Sequence, residues 1–147
     1  MAGNTQPQFT AAGDIAGVVV TAAWAESYSG FVIGTSGFLA FTAGANGSYV
    51  DFLRWFPTAS SVTTTGATIG RVFVSSVTTG TPTASQAFCI SEINLPSISA
   101  GSSSVAQNAI DIPLGFRLPA SWGICVTNHA APTALTEWCA VVFGGDY

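Results

Sequence analysis

The residues able to do chemistry are few and scattered. The single histidine, His129, stands in the segment Asn128-His-Ala-Ala-Pro132, and the three cysteines are Cys89, Cys125 and Cys139. The seven carboxylates are Asp14, Glu26, Asp51, Glu92, Asp111, Glu137 and Asp146. One histidine cannot make a His-rich metal site, and no two cysteines stand at metal-ligand spacing. A general base needs a partner that orients it, and the sequence offers His129 none, so a solvated loop histidine is expected. Glycoside hydrolysis needs two carboxylates at a defined separation, and no pair stands out. A Gly-rich phosphate loop followed by Lys and a Gly-x-Ser-x-Gly elbow are both missing. These residues lead to the expectation of a protein that is not an enzyme and holds no metal or cofactor.

Two further chemistries remain open. If the last two strands form a hairpin centred on Pro132, Cys125 and Cys139 face each other across it, and a disulfide is conceivable. A jelly-roll crossover between those strands removes the pairing, and a cytosolic chain keeps its thiols reduced. The tryptophans Trp24, Trp55, Trp122 and Trp138 could stack on sugars. Trp122 and Trp138 alternate with aliphatic residues, so core packing explains them, whereas Trp55 is harder to dismiss.

The elements that must position these groups read as short strands. Ile112, Leu114, Phe116 and Leu118 alternate onto one face, and Trp122, Ile124 and Val126 alternate again after a break at Pro119. A period of two places each set on one side of a pleated strand, and proline suits the turn between them. This predicts a strand–turn–strand unit with a large apolar face, read as a central hairpin. Further strands are expected over residues 15–24, 37–41, 49–56, 67–76, 86–95 and 135–143, separated by Ser/Thr/Gly-rich loops. Asn46-Gly47 is a strong hairpin signal, because both residues accept positive φ. About eight short strands without helical periodicity predict an all-β fold, an antiparallel β-sandwich or jelly roll. Residues 1–14 are expected to form an extended N-terminal arm and residues 15–147 the β-sandwich domain.

Residues 49–56 break the pattern of a half-buried strand. Tyr49, Leu53 and Trp55 read as one face and Val50, Phe52 and Phe56 as the other, so both faces are apolar. Either a loop or a second subunit covers the outer face, and the subunit is the preferred reading. Phe9, alone among polar residues in the arm, is either disordered or a plug for a neighbour.

Composition narrows the class. Charged residues make up only 7% of the chain against the usual quarter, and the cations are Arg54, Arg71 and Arg117. A net charge of −4 with no lysine excludes the clustered cations that a nucleic-acid binder needs. A surface this poor in charge is expected to be covered by other subunits. The lack of a long apolar run predicts no membrane span, and the start of the sequence lacks the pattern of a secretory signal.

Three segments carry a resemblance: Phe41-Thr-Ala-Gly-Ala-Asn-Gly-Ser-Tyr-Val-Asp51, Leu114-Gly-Phe-Arg-Leu-Pro-Ala-Ser-Trp122 and Phe143-Gly-Gly-Asp-Tyr147. They resemble small head decoration, or cement, proteins of tailed bacteriophages, over residues 34–147. Phe52, Trp55 and the cysteines depart from the commoner polar pattern, which leaves the surface of that strand in doubt. The resemblance implies a β-sandwich trimer on the capsid exterior, made in the host cytoplasm, with the major capsid protein and itself as partners. The contact candidates are Thr5, Gln6, Pro7 and Phe9 of the arm, with Tyr49, Phe52 and Trp55. The rival reading is a receptor- or carbohydrate-binding module of a phage tail or fibre.

Overall fold

A computed structural model describes residues 12–58, 64–99 and 108–147. Its strands are β1 (Ala12–Val20), β2 (Phe38–Thr42), β3 (Ser48–Pro57), β4 (Thr68–Ser75), β5 (Ala87–Leu95), β6 (Ile110–Leu118), β7 (Gly123–Asn128) and β8 (Trp138–Asp146). No helix occurs among the described residues. Two four-stranded antiparallel sheets have the orders β1-β8-β3-β6 and β2-β7-β4-β5. They pack face to face as a sandwich, and their strand orders are those of a jelly roll.

This topology corrects the local pairings expected from sequence. β6 and β7 alternate as predicted, with Ile112, Leu118, Ile124 and Val126 all in the core. The turn between them, however, carries the chain from one sheet to the other and closes no hairpin. The same is true at Asn46-Gly47, between β2 and β3, and at Pro132, between β7 and β8. A strand buries one face against the opposite sheet whichever sheet it joins, as the β4-β5 pair within one sheet also does, so alternation alone does not tell a hairpin from a crossover. Cys125 and Cys139 belong to opposite sheets, and all three cysteines are free.

The first strand begins at Ala12, where it pairs with Asp146, so the last three residues assigned to the arm belong to the sheet. It ends at Val20, short of Trp24, and β8 begins at Trp138 and not at Leu135.

Trp55, Trp138, Leu53, Val50, Val72, Ile124 and Leu118 form the centre of the core between the sheets. Each such side chain contributes roughly 1.5–3 kcal/mol of burial. A second, smaller cluster lies outside the β2-β7-β4-β5 sheet. There the segment 21–37 lays Trp24, Phe31 and Ile33 over Phe73, Leu39 and Cys125. Phe31 and Phe73 meet at 4.9 Å between centroids. Gly37 leaves room for that ring, since a Cβ there would lie 2.1 Å from Phe31. Loop residues thus roof one outer face with the chain's own aromatic side chains.

Candidate interaction surface

The outer face of the other sheet is built from three strands with apolar residues at both parities. β1 pairs with β8 in unbroken register, which aligns Ile15 with Phe143, Gly17 with Val141 and Val19 with Cys139. β3 pairs with the far side of β8, setting Phe52 beside Phe143, Arg54 beside Val141 and Phe56 beside Cys139. Side chains in register across antiparallel strands share a face. The result is a continuous outer surface of Ile15, Val19, Val141, Phe143, Phe52 and Phe56. Ile15 is 65% exposed, Phe56 46% and Val19 42%. Contiguous apolar surface of this kind marks an interaction site.

A register shift between Val50 and Phe52 decides which residues of β3 point outwards. Against β8, Asp51 is the extra residue, and a β-bulge of this kind interrupts the period of two. Val50, Leu53 and Trp55 consequently face the core, while Tyr49, Phe52, Arg54 and Phe56 face out. The expected grouping of Tyr49 with Leu53 and Trp55 is thereby corrected. Trp55 is also corrected as a contact candidate: it is fully buried, and its indole nitrogen has no hydrogen-bond partner among the described residues. Tyr49 and Phe52 do lie on the open face. Thr5, Gln6, Pro7 and Phe9 lie outside the described residues.

Arg54 and Asp111 on this surface neutralise one another. Arg54 donates through Nε to Asp111 Oδ1 at 2.7 Å and through Nη2 to Oδ2 at 2.8 Å. That hydrogen bonding, with the charge of Arg54, holds the Asp111 carboxyl below its usual range. The same guanidinium lies over the rings of Phe52 and Phe143. At one end of the face, Ile15, Tyr49, Phe52 and Phe143 wall an open groove of about 580 Å³ with Gly13 and Gly144. Asp14 and Asp51 also line it, Asp14 from a position whose side chain has the parity of the inner face.

The three segments that carry the resemblance converge just beside this groove. The 44–47 turn is closed by Gly47 N–H to Gly44 O at 3.0 Å and is tied to the chain's last residue by Asn46 Nδ2 to Tyr147 O at 3.2 Å. Ser48 and Gly44 both donate to Asp146. Ser48 also pairs with Leu118, and Arg117 lies 4.3 Å over the ring of Tyr147. Gly47 has φ of +86°, and a Cβ there would lie 2.8 Å from Leu118 O, so the corner needs glycine twice over. The contacts are structural, and they fix the end of the sheet that holds the groove.

The remaining chemical groups are structural or masked by burial. His129 Nδ1 lies 3.0 Å from Ala25 O and 3.5 Å from Arg71 Nη2. It thus helps to hold the 21–37 segment. Arg71, almost fully buried, bonds Glu92 and donates to Trp24 O at 3.2 Å, clasping the same segment. Burial pushes the Cys125 thiol up to about 12, and it also raises Cys89 and Cys139. Low thiolate content makes poor nucleophiles. Among the described residues no group of three or more His, Cys, Asp or Glu side chains could hold a metal. Trp138 is buried, Trp122 packs on the core, and Trp24 packs with the roof, its Nε1 donating to Tyr28 O at 3.0 Å.

Sequence reasoning missed Ile15, Val19, Val141 and Phe143 as surface residues. The signal was present: Val18-Val19-Val20 and Val141-Val142-Phe143 are apolar at consecutive positions, the same two-faced pattern noted for residues 49–56. The other exposed apolar residues include Phe88 and Ile90 on the edge strand β5.

The described residues define an eight-stranded jelly roll with one outer face roofed by its own chain and the other apolar and covered by none of them. No protein-family model and no curated protein sequence matches the chain. Among solved structures it is similar to a chain in a structure of infectious bursal disease virus, Gx strain, with a TM-score of 0.37 and 11% identity. The match covers 92% of this chain and 33% of that one, so the chain spans about a third of the neighbour's length.

Proposed function

We propose that this protein is a structural virion component of the head-decoration kind. It binds the outer surface of a bacteriophage capsid as a homotrimer and cements the lattice of the major capsid protein. One observation carries this reading: the outer face of β1-β8-β3-β6 is apolar and uncovered by any described residue, whereas the opposite outer face is roofed. A sheet face left bare next to one that the same chain covers is fit for burial in an assembly. The low charge of the chain and the resemblance of its three converging segments to cement proteins support the same reading.

The mechanism is linkage. A protein that binds only the assembled lattice stabilises it by mass action, and three linked binding units raise the effective concentration of each. Purified protein is therefore expected to bind expanded capsids at micromolar concentration and to raise their rupture temperature. Phe56→Asp, on the bare face, is expected to weaken self-association or capsid binding at least tenfold while changing folding stability by only about 0.5 kcal/mol. Wild-type protein that leaves capsids unbound at those concentrations would overturn the proposal.

A further inference from the structure

We propose that the groove at the start of β1 seats Phe9 from the N-terminal arm of a second copy of this chain. The inference rests on the reading of the protein as a self-associating shell component, and it gives the arm a defined receptor on the neighbouring copy.

The groove has the shape and chemistry of a ring-binding slot. Its walls are Ile15 and the aromatic side chains of Tyr49, Phe52 and Phe143. Gly13, on its floor, meets nothing within 4 Å in the direction a Cβ would take, so the space above it is open. Buried aromatic anchors in such pockets dominate interface energies. Outside the described residues, Phe9 is the only aromatic side chain in the sequence.

The rim also suits the arm. Asp51 offers a carboxylate acceptor and would repel an acidic segment. Residues 1–11 contain no carboxylate, and Gln6 and Gln8, just before Phe9, carry amide donors.

Chain direction favours a second copy over the arm's own groove. At Ala12 the chain is an extended strand in register with Asp146, heading away from Ile15. To reach its own groove, the arm would have to reverse within Thr10 and Ala11, which include none of the Gly, Pro, Asn or Asp residues that make tight turns. Continued as a strand, it carries Phe9 about 10 Å past Ala12 and towards a neighbour. An arm passed from copy to copy in one direction is a head-to-tail contact, which makes a closed ring where the rotation between copies closes.

Two substitutions test this from opposite sides. Phe9→Ala removes the anchor, and Gly13→Leu fills the slot at a position open enough to accept a side chain without refolding. The wild-type protein is expected to sediment as an oligomer, and each variant to dissociate at least tenfold more readily with an unchanged circular dichroism spectrum and melting temperature. Phe9→Leu, which keeps an apolar anchor, is expected to restore most of the association. If wild type and both variants are equally oligomeric, the arm proposal falls while the self-association reading stands. A monomeric wild type overturns both.

Photo-crosslinking separates a second copy from the arm's own groove. With benzoylphenylalanine at position 9, crosslinks to β3 or β8 peptides are expected in species of twice the chain mass. Crosslinks confined to single chains would show the arm folding back, and would overturn the proposal.

Discussion

Phe52 and Phe143 lie face to face on the outside of the sandwich, with centroids 4.4 Å apart and planes 12° from parallel. Adjacent strands supply the two rings, and the Arg54 guanidinium lies 5.6 Å from one centroid and 5.7 Å from the other. Asp111 fixes that guanidinium through two hydrogen bonds, so the cation is aimed before any partner arrives. The stack is thus an apolar platform whose overlying cation is neutralised by Asp111. Preorganised groups lose less entropy on binding, which is what an assembly surface needs.

The Arg54–Asp111 pair makes a signed prediction about pH. Because the folded carboxyl is held below its unfolded value of about 3.9, the pair's contribution is present above that pH. It is lost as the pH falls through the lower folded value. Both side chains are well exposed, so the effect on global stability is small. A carboxyl-detected NMR titration is expected to show the Asp111 midpoint rising in Arg54→Gln towards the unfolded value. An unchanged midpoint would mean that the pair is not populated in solution.

Arg71 is expected to hold the roof over the second sheet. Its buried guanidinium joins Glu92 on β5 to the Trp24 carbonyl on the 21–37 segment. Arg71→Met keeps the stem and removes both bonds, and should cost about 2 kcal/mol, since Glu92 remains half-exposed and can hydrate. The segment itself should loosen. Chymotryptic cleavage after the exposed Tyr28 is expected to run faster in the variant than in wild type. A fall in stability with an unchanged cleavage rate would remove the clasp from the account.

The sequence made the strands legible and hid the partners. Ile112, Leu118, Ile124 and Val126 announce their inward face by alternation, because a strand buried on one side carries its environment in its own period. Which sheet a strand joins leaves no such trace, so turns at Asn46-Gly47 and Pro119 read as hairpins although they cross between sheets. The Asp51 bulge shifts the period by one residue, which is why Tyr49 and Val50 change places between expectation and structure. The roof was equally silent: Trp24 and Phe31 lie in a segment without periodicity, and the clasp between Arg71 and Trp24 joins residues 47 positions apart. The doubled apolar signature of residues 49–56 did point to the bare face, but the same signature in β1 and β8 passed as ordinary Val-rich sequence.

Trp55 separates core from binding site by experiment. Its ring is fully buried, so Trp55→Ala should cost about 3–5 kcal/mol. Trp55→Phe should cost much less, because the indole N–H that it removes has no described partner. Chemical denaturation of both variants measures the difference. The same burial predicts that glycans leave the fluorescence of Trp55 and Trp138 unquenched. Saturable quenching by a sugar would revive the carbohydrate-binding reading.

Cys125 should tie stability to alkaline pH. Its thiol rises from 9.0 to about 12 through burial in β7 beneath the roof. A raised folded value means that the contribution is fully present below the unfolded value and is lost as pH climbs towards the folded one. Between pH 9.0 and about 12, therefore, the unfolded chain releases its proton while the folded chain retains it, and unfolding becomes progressively easier. Other groups titrate in that range, Cys89 and Cys139 among them, so the comparison is with Cys125→Ala. That variant should start less stable, because it leaves a small cavity, but its stability should fall less steeply with pH than wild type. At pH 8 a thiol reagent is expected to modify the half-buried Cys89 and Cys139 in the native protein and Cys125 only after denaturation. Equal pH slopes in wild type and variant, or rapid native labelling of Cys125, would show that the roof opens far more readily than its packing around Phe31 and Phe73 implies.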